Sequence, residues 1–194
     1  MSTTTSAVPG TGIEVFWGEI APCEHLVQIY EGEGPFVDSL EGFVGGGLRA
    51  GDGVIVIATA THLHALEERL AAQGVDIAAA RSSDQYIPLD AVETLSKFMV
   101  GGWPDDYLFT QVVTEILTRA RKNGRGVRAF GEMVAVLWGQ GHNGATVRLE
   151  HLWHQLCQTE AFSLFCAYPR IGFTQDVSAS ISEICAAHSR VIGQ

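Results

Sequence analysis

The sequence predicts an α/β domain of three layers, with helices on both faces of a mainly parallel central sheet. Two observations carry that expectation. Short β-type runs alternate with helix-length segments along the chain, the pattern of βαβ units. Two of those runs, Val54 to Thr59 and Phe162 to Tyr168, are nearly continuous hydrophobic stretches, as befits strands covered on both faces.

The elements follow in order. Residues 1–12, MSTTTSAVPGTG, are small, polar and punctuated by Gly and Pro, and are expected to be a disordered leader to a domain spanning 13–175. His25 to Tyr30 (HLVQIY) is the first strand and Val54 to Thr59 (VIVIAT) the second. Thr61 to Gln73 places Leu63, Leu66 and Leu70 on one side of a helix that stops at Gly74. Gln85 to Ile87 is a third strand, and Asp90-x-x-Glu93 is a capping box that opens a helix running through Met99. Gly101-Gly102-Trp103-Pro104 then breaks the chain. From Tyr107 to Asn123 the apolar residues Leu108, Val112, Ile116 and Ala120 recur every four. That helix ends on Asn123-Gly124, with Arg119, Arg121 and Lys122 complementing its dipole. Val127 to Phe130 is the fourth strand. A short segment, Met133 to Gln140, is divided by Asn143-Gly144 from a longer helix, Ala145 to Thr159, and Phe162 to Tyr168 closes the set of five strands. Residues 176–194 are expected to form a helical tail or connector, with Val177, Ile181, Ile184 and Cys185 giving weaker periodicity as far as Ser189.

Composition narrows the function classes. The chain has 194 residues, 46% apolar and 18% charged, enough for one domain with a large core. Acids outnumber bases 22 to 12, and no Lys or Arg precedes Arg49. This argues against a nucleic-acid surface, which needs a basic footprint, and against a secretory or transit signal. No apolar stretch approaches the ~20 residues that cross a bilayer, so a cytoplasmic protein without membrane contact is expected. Cys23, Cys157, Cys166 and Cys185 show no CxxC spacing and are expected to be free structural thiols, Cys166 as a small buried hydrophobe.

Open parallel sheets bind ligands at the carboxyl ends of their strands. The residues expected there are Tyr30 and Glu31, Thr59, Thr61 and His62, Asp90, Gly131 and Glu132, and Tyr168. Glu132 is either a site carboxylate or an acid favouring the N-terminus of the helix beginning near Met133. Tyr30, Thr59, His62, Glu132 and Tyr168 are singled out as the lining of one ligand crevice. The two tyrosines offer apolar contact with a polar tip, Glu132 an orienting acceptor and His62 a group able to change charge near neutral pH. The alternative for Tyr30 and Tyr168 is an ordinary place in the core.

A phosphate loop needs GxxxxGK[ST] between strand and helix, but Ala58-Thr59-Ala60-Thr61-His62 holds neither glycine nor lysine, which argues against P-loop ATPase activity. No GxSxG elbow is present. His151-x-x-His154-x-x-Cys157 resembles a metal triad, but its first and third members lie roughly 120° apart around a helix, so no metal site is expected. His25, at the amino end of its strand, is read as structural. Five of the twelve basic residues fall between Arg119 and Arg128, either as a docking patch or, preferably, as cations complementing a helix end.

The segments HLVQIYEGEGPFVDSLEGFVGGGLRAGDGVIVIATATHLHALEERL, VRAFGEMVAVLW, RLEHLWHQL, FSLFCAYP and ICAAHSRVI together resemble the MEDS family, the methanogen/methylotroph sensory domain, from about His25 to Ile192. The resemblance implies a degenerate RecA-like or circadian-clock-ATPase-like fold without a functional P-loop. It also implies a non-catalytic sensory module that takes small molecules, hydrocarbon derivatives among them, and is attached to histidine kinases, response regulators or transcription regulators. His25, Tyr30, Glu132, Glu150, Cys166 and Tyr168 fall on the family's characteristic positions, whereas many relatives carry an acid and an Asn where this chain has His151 and His154. No cofactor is expected, and a homodimer is, because such modules feed dimeric kinases. The alternatives are a nucleotide-binding RecA-like domain with residual or lost ATPase activity, and a ligand-free interaction module. With no kinase, receiver or DNA-binding segment in the sequence, a stand-alone sensor and a piece of a longer one both fit.

Overall fold

The computed structural model describes Trp17, residues 20–172, Ile184, Ala186 and residues 188–192. The expected leader and most of the expected tail between residues 176 and 189 lie outside that set. Eight strands are described: β1 (His25–Tyr30), β2 (Gly53–Ala58), β3 (Tyr86–Asp90), β4 (Met99–Val100), β5 (Trp103–Pro104), β6 (Val127–Gly131), β7 (Ser163–Pro169) and β8 (Arg190–Ile192). Seven helices accompany them: α1 (Glu33–Ala50), α2 (Ala60–Ala72), α3 (Ile77–Ser82), α4 (Ala91–Ser96), α5 (Asp106–Ala120), α6 (Met133–Gly139) and α7 (Asn143–Glu160).

Six strands form one wholly parallel sheet in the order β3-β2-β6-β7-β1-β8, and β4 and β5 form a separate antiparallel hairpin. Strand alternation sends Leu26, Tyr30, Val54, Val56, Phe130 and Phe165 to one face, where α1, α2 and α3 cover them with Phe36, Leu40, Phe43, Leu66 and Leu70. It sends Val27, Ile55, Ile57, Ala129, Leu164 and Cys166 to the other face, under α4 to α7 with Phe109, Leu117, Met133, Leu149 and Trp153. The three-layer expectation holds, and each strand expected from the sequence falls within two or three residues of its observed limits.

Three features go beyond the sequence expectation. The first is α1, eighteen residues long, over a segment whose glycines oppose a helix on propensity. Burial overrides propensity there: a Cβ at Gly47 would stand 2.9 Å from both Arg128 Cδ and Val54 Cγ2, so the helix lies on the sheet at a distance that only glycine allows. The second is the hairpin at the Gly101-Gly102 break, where both glycines adopt positive φ and reverse the chain. The third is β8, which pairs in parallel with Leu26 to Gln28 of β1. Asp90, as expected, caps its helix, accepting the Glu93 N–H at 2.9 Å.

Candidate functional site

Neighbouring strands β2 and β6 send their chains to opposite faces, β2 into α2 and β6 into α6. Such a switch point opens the carboxyl edge of a doubly wound sheet, and side chains from both strand ends meet there. Thr59 is the N-cap of α2 and His62 stands one turn into that helix. Glu132 follows Gly131 at the end of β6. Glu132 Oε2 accepts the Thr59 backbone N–H at 2.8 Å, and Oε1 lies 2.7 Å from His62 Nδ1, which also sits 3.1 Å from Thr59 Oγ1. Gly32, at φ +78°, turns the chain out of β1 so that Glu33 opens α1 with its Oε2 at 2.7 Å from His62 Nε2. Tyr30, the last residue of β1, stacks on Phe36 at 4.5 Å, and the Phe36 ring meets His62 edge-on at 4.9 Å.

Both imidazole nitrogens of His62 thus face carboxylate oxygens, a geometry that asks both to carry protons. The Glu132 hydrogen bond is the main cause that raises the His62 pKa above its ordinary value; burial opposes it and Glu33 adds to it. Burial, reinforced by Glu33 and Glu132, pushes the Tyr30 hydroxyl far up, so it stays a neutral donor. The cluster is graded in exposure: the Glu132 side chain is 7% exposed, His62 13% and Glu33 67%. Four of the five residues singled out by sequence therefore meet in one cluster, Thr59, His62 and Glu132 by hydrogen bonds and Tyr30 by stacking on Phe36; Glu33 and Phe36, which sequence reasoning did not select, complete it.

A model of the methanogen/methylotroph, DcmR sensory domain family matches residues 24–189, most of the chain. The chain belongs to the MEDS family. It is thereby placed among sensory domains, and no curated protein matches its sequence.

Tyr168, the fifth residue singled out, lies on the other face of this MEDS domain. Tyr30 pairs in register with Pro169 and Tyr168 with Ile29, so alternation turns the two tyrosines to opposite sides. Tyr168 shares its face with Cys166 and donates its hydroxyl to Glu150 Oε1 from α7. Around them stand His25, first residue of β1, and His188, just before β8, the two rings 3.9 Å apart. Burial works against the charge of Glu150, but the facing His188 and His25 rings and the Tyr168 hydroxyl outweigh it and hold the carboxyl below its ordinary range. Burial, with Glu150 alongside, pushes the Cys166 thiol well up. Cys166 is indeed buried, but in polar company.

The MEDS domain also answers the weaker sequence signals. Of His151, His154 and Cys157, the first is exposed, the second half-buried and stacked on His25 at 5.9 Å, and the third fully buried with its thiol 2.9 Å from Phe162 O. They face three ways, as the helical angle requires. The five clustered cations are each engaged within the domain: Arg119 and Lys122 on Asp84, Arg121 on Glu160, Arg125 on the Ser83 carbonyl and Arg128 on Asp52. They fasten the far ends of α5 and β6 to the rest of the fold. Neither of the two lysines follows a glycine, so the GxxxxGK pattern occurs nowhere in the sequence. Among the described residues no helix is long and apolar enough to cross a membrane.

Proposed function

We propose that this MEDS domain is a non-catalytic sensor that takes a small molecule at the carboxyl edge of the sheet, beside Tyr30, Thr59, His62 and Glu132. The observation that carries the reading is the convergence of residues from the ends of β1, β2 and β6 on one imidazole at the switch point. Both Glu132 oxygens are engaged within the protein, by Thr59 N–H and by His62, so this carboxylate positions the imidazole. The His62 Nε2 contact to Glu33 is different, because its partner is exposed and held on the first turn of a helix. A ligand oxygen, from an alcohol or a carboxylate, takes the place of Glu33 on Nε2, and its hydrocarbon portion reaches the buried Phe36 and Tyr30 rings as the first turn of α1 moves aside with Glu33.

The bound state passes by association in the cytoplasm, to a histidine kinase or transcription regulator and through a homodimer. The test is a thermal-shift screen of short-chain alcohols, carboxylic acids and amines, with ATP included. A binder at a hundred times its Kd stabilises by ~2.7 kcal/mol, which for a domain of this size is roughly 5–10 °C. The expected result is a shift with an oxygen-bearing organic that is lost in His62→Ala. A shift with ATP alone, or one that His62→Ala leaves intact, overturns the assignment.

A further inference from the structure

We propose that His25, Glu150, Cys166 and His188 form a closed four-coordinate centre for one divalent transition-metal ion, zinc by its ligand set. The four residues come from β1, α7, β7 and the segment leading to β8. They are all buried, and one ligand atom from each lies within 4.8 Å of every other. The closest distances are Glu150 Oε2 to His188 Nε2 at 3.4 Å and to His25 Nε2 at 3.5 Å, and Cys166 Sγ to His25 Nε2 at 3.5 Å and to Glu150 Oε2 at 3.8 Å.

Four of the six separations are those of atoms around a common centre, and the other two, from His188 to His25 and to Cys166, are within 4.8 Å. Ligands about 2.0–2.3 Å from a tetrahedral ion stand roughly 3.3–3.8 Å from one another. A carboxylate and an imidazole that bond directly come closer, and the same chain supplies the comparison, with His62 and Glu132 at 2.7 Å. The surroundings orient the lone pairs inward. His188 Nδ1 donates to the Ile184 carbonyl, which turns Nε2 inward, where it is buried 3.4 Å from Glu150 Oε2 without a hydrogen bond. The Tyr168 hydroxyl holds Glu150 Oε1 and turns Oε2 toward the other three ligands. Two imidazoles, a thiolate and a carboxylate suit zinc in type and number. Charge balances too: a divalent ion cancels one carboxylate and one thiolate, and Cys166 releases its thiol proton to solvent as the metal–sulfur bond forms.

The site is separate from the carboxyl-edge cluster, and it ties His188 to the core. The experiment uses the full chain, stripped with a chelator and titrated with Zn²⁺ or Co²⁺. One ion per chain is expected, Co²⁺ giving the intense ligand-field bands of a tetrahedral ion and a thiolate charge-transfer band. Cys166→Ser removes the charge-transfer band, and His188→Ala weakens binding by at least ~100-fold, more than loss of an outer-shell partner does. His151→Ala, exposed on α7, leaves binding unchanged. Should Cys166→Ser fail to fold, Tyr168→Phe keeps all four ligands and weakens binding about 10–100-fold. Folded protein that takes up no stoichiometric ion, a charge-transfer band surviving in Cys166→Ser, or unchanged affinity in Tyr168→Phe each overturns the proposal.

Discussion

Replacing Glu132 separates its charge from its hydrogen bonds. Glu132→Ala removes both acceptors at once, the 2.8 Å bond from Thr59 N–H and the 2.7 Å bond from His62 Nδ1. Hydrogen bonds to a charged group are each worth about 1.5–3 kcal/mol, and water reaches the rim of this cluster, so the lower end applies: a loss of about 3 kcal/mol, or roughly 6–12 °C in Tm. Glu132→Gln keeps an oxygen for Thr59 N–H and presents an N–H₂ to Nδ1, which must then give up its proton. Only the charge is lost, and the penalty falls to about 1 kcal/mol. The sign with pH follows from linkage. The folded-state pKa of His62 is raised, so the stability drawn from the Glu132 contact is fully present below the unfolded value of about 6.5 and disappears as pH rises through the folded value. The stability difference between wild type and Glu132→Gln is therefore larger at about pH 5.5 than at about pH 9, the other titrating groups cancelling in the comparison. Urea unfolding at both pH values gives the difference, and an NMR titration of the His62 ring gives the pKa. An unchanged His62 midpoint in Glu132→Gln, or an equal stability loss at both pH values, refutes the reasoning.

Two further perturbations test other parts of the structure. Asp52→Ala strands the buried Arg128 guanidinium, whose Nε lies 2.8 Å from Asp52 Oδ2, and is expected to lose about 3 kcal/mol with an unchanged urea m-value; a loss under about 1 kcal/mol means that the Trp17 carbonyl alone satisfies Arg128. Glu33→Gln, at an exposed position, is expected to change stability by under about 1 kcal/mol and to lower the His62 pKa by less than Glu132→Gln does, read in the same titration.

The five long strands were legible because two of them are apolar on both faces, as buried parallel strands must be, and the other three fall between segments of helical length and period. Helix α1 was not, because five glycines within it read as a breaker until the close approach to β2 and β6 is known. Strand β8 has three residues and takes its identity from β1 alongside it. At the carboxyl edge, the rule that chain segments after strands gather there picked out Tyr30, Thr59, His62 and Glu132, which the fold brings side by side. It misplaced Tyr168 because it followed strand ends and ignored register, and a one-residue offset between β1 and β7 decides which face a side chain takes. It passed over Glu33 and Phe36 because they lie on the unrecognised helix. The His25, Glu150, Cys166 and His188 cluster was missed because each member was judged alone, His25 as structural and Cys166 as a small hydrophobe. Alternation held the missing signal: His25 pairs in register with Leu164, which puts it on the same face as Cys166 and Tyr168.

Strand β1 carries His25 at its first position and Tyr30 at its last. Five steps of about 3.3 Å set them about 17 Å apart, and the odd number turns them to opposite sides of the sheet. The strand is thus a fixed spacer between two chemically unlike centres, diagonal corners of a single slab. Held between β7 and β8, it cannot slip by one residue without exchanging every inward side chain for an outward one. The distance between the corners is as constant as the backbone itself, so motion around one corner is measured from a point fixed relative to the other. A pair of reporter groups placed at the two corners would accordingly read motions of those surroundings against a ruler that does not stretch.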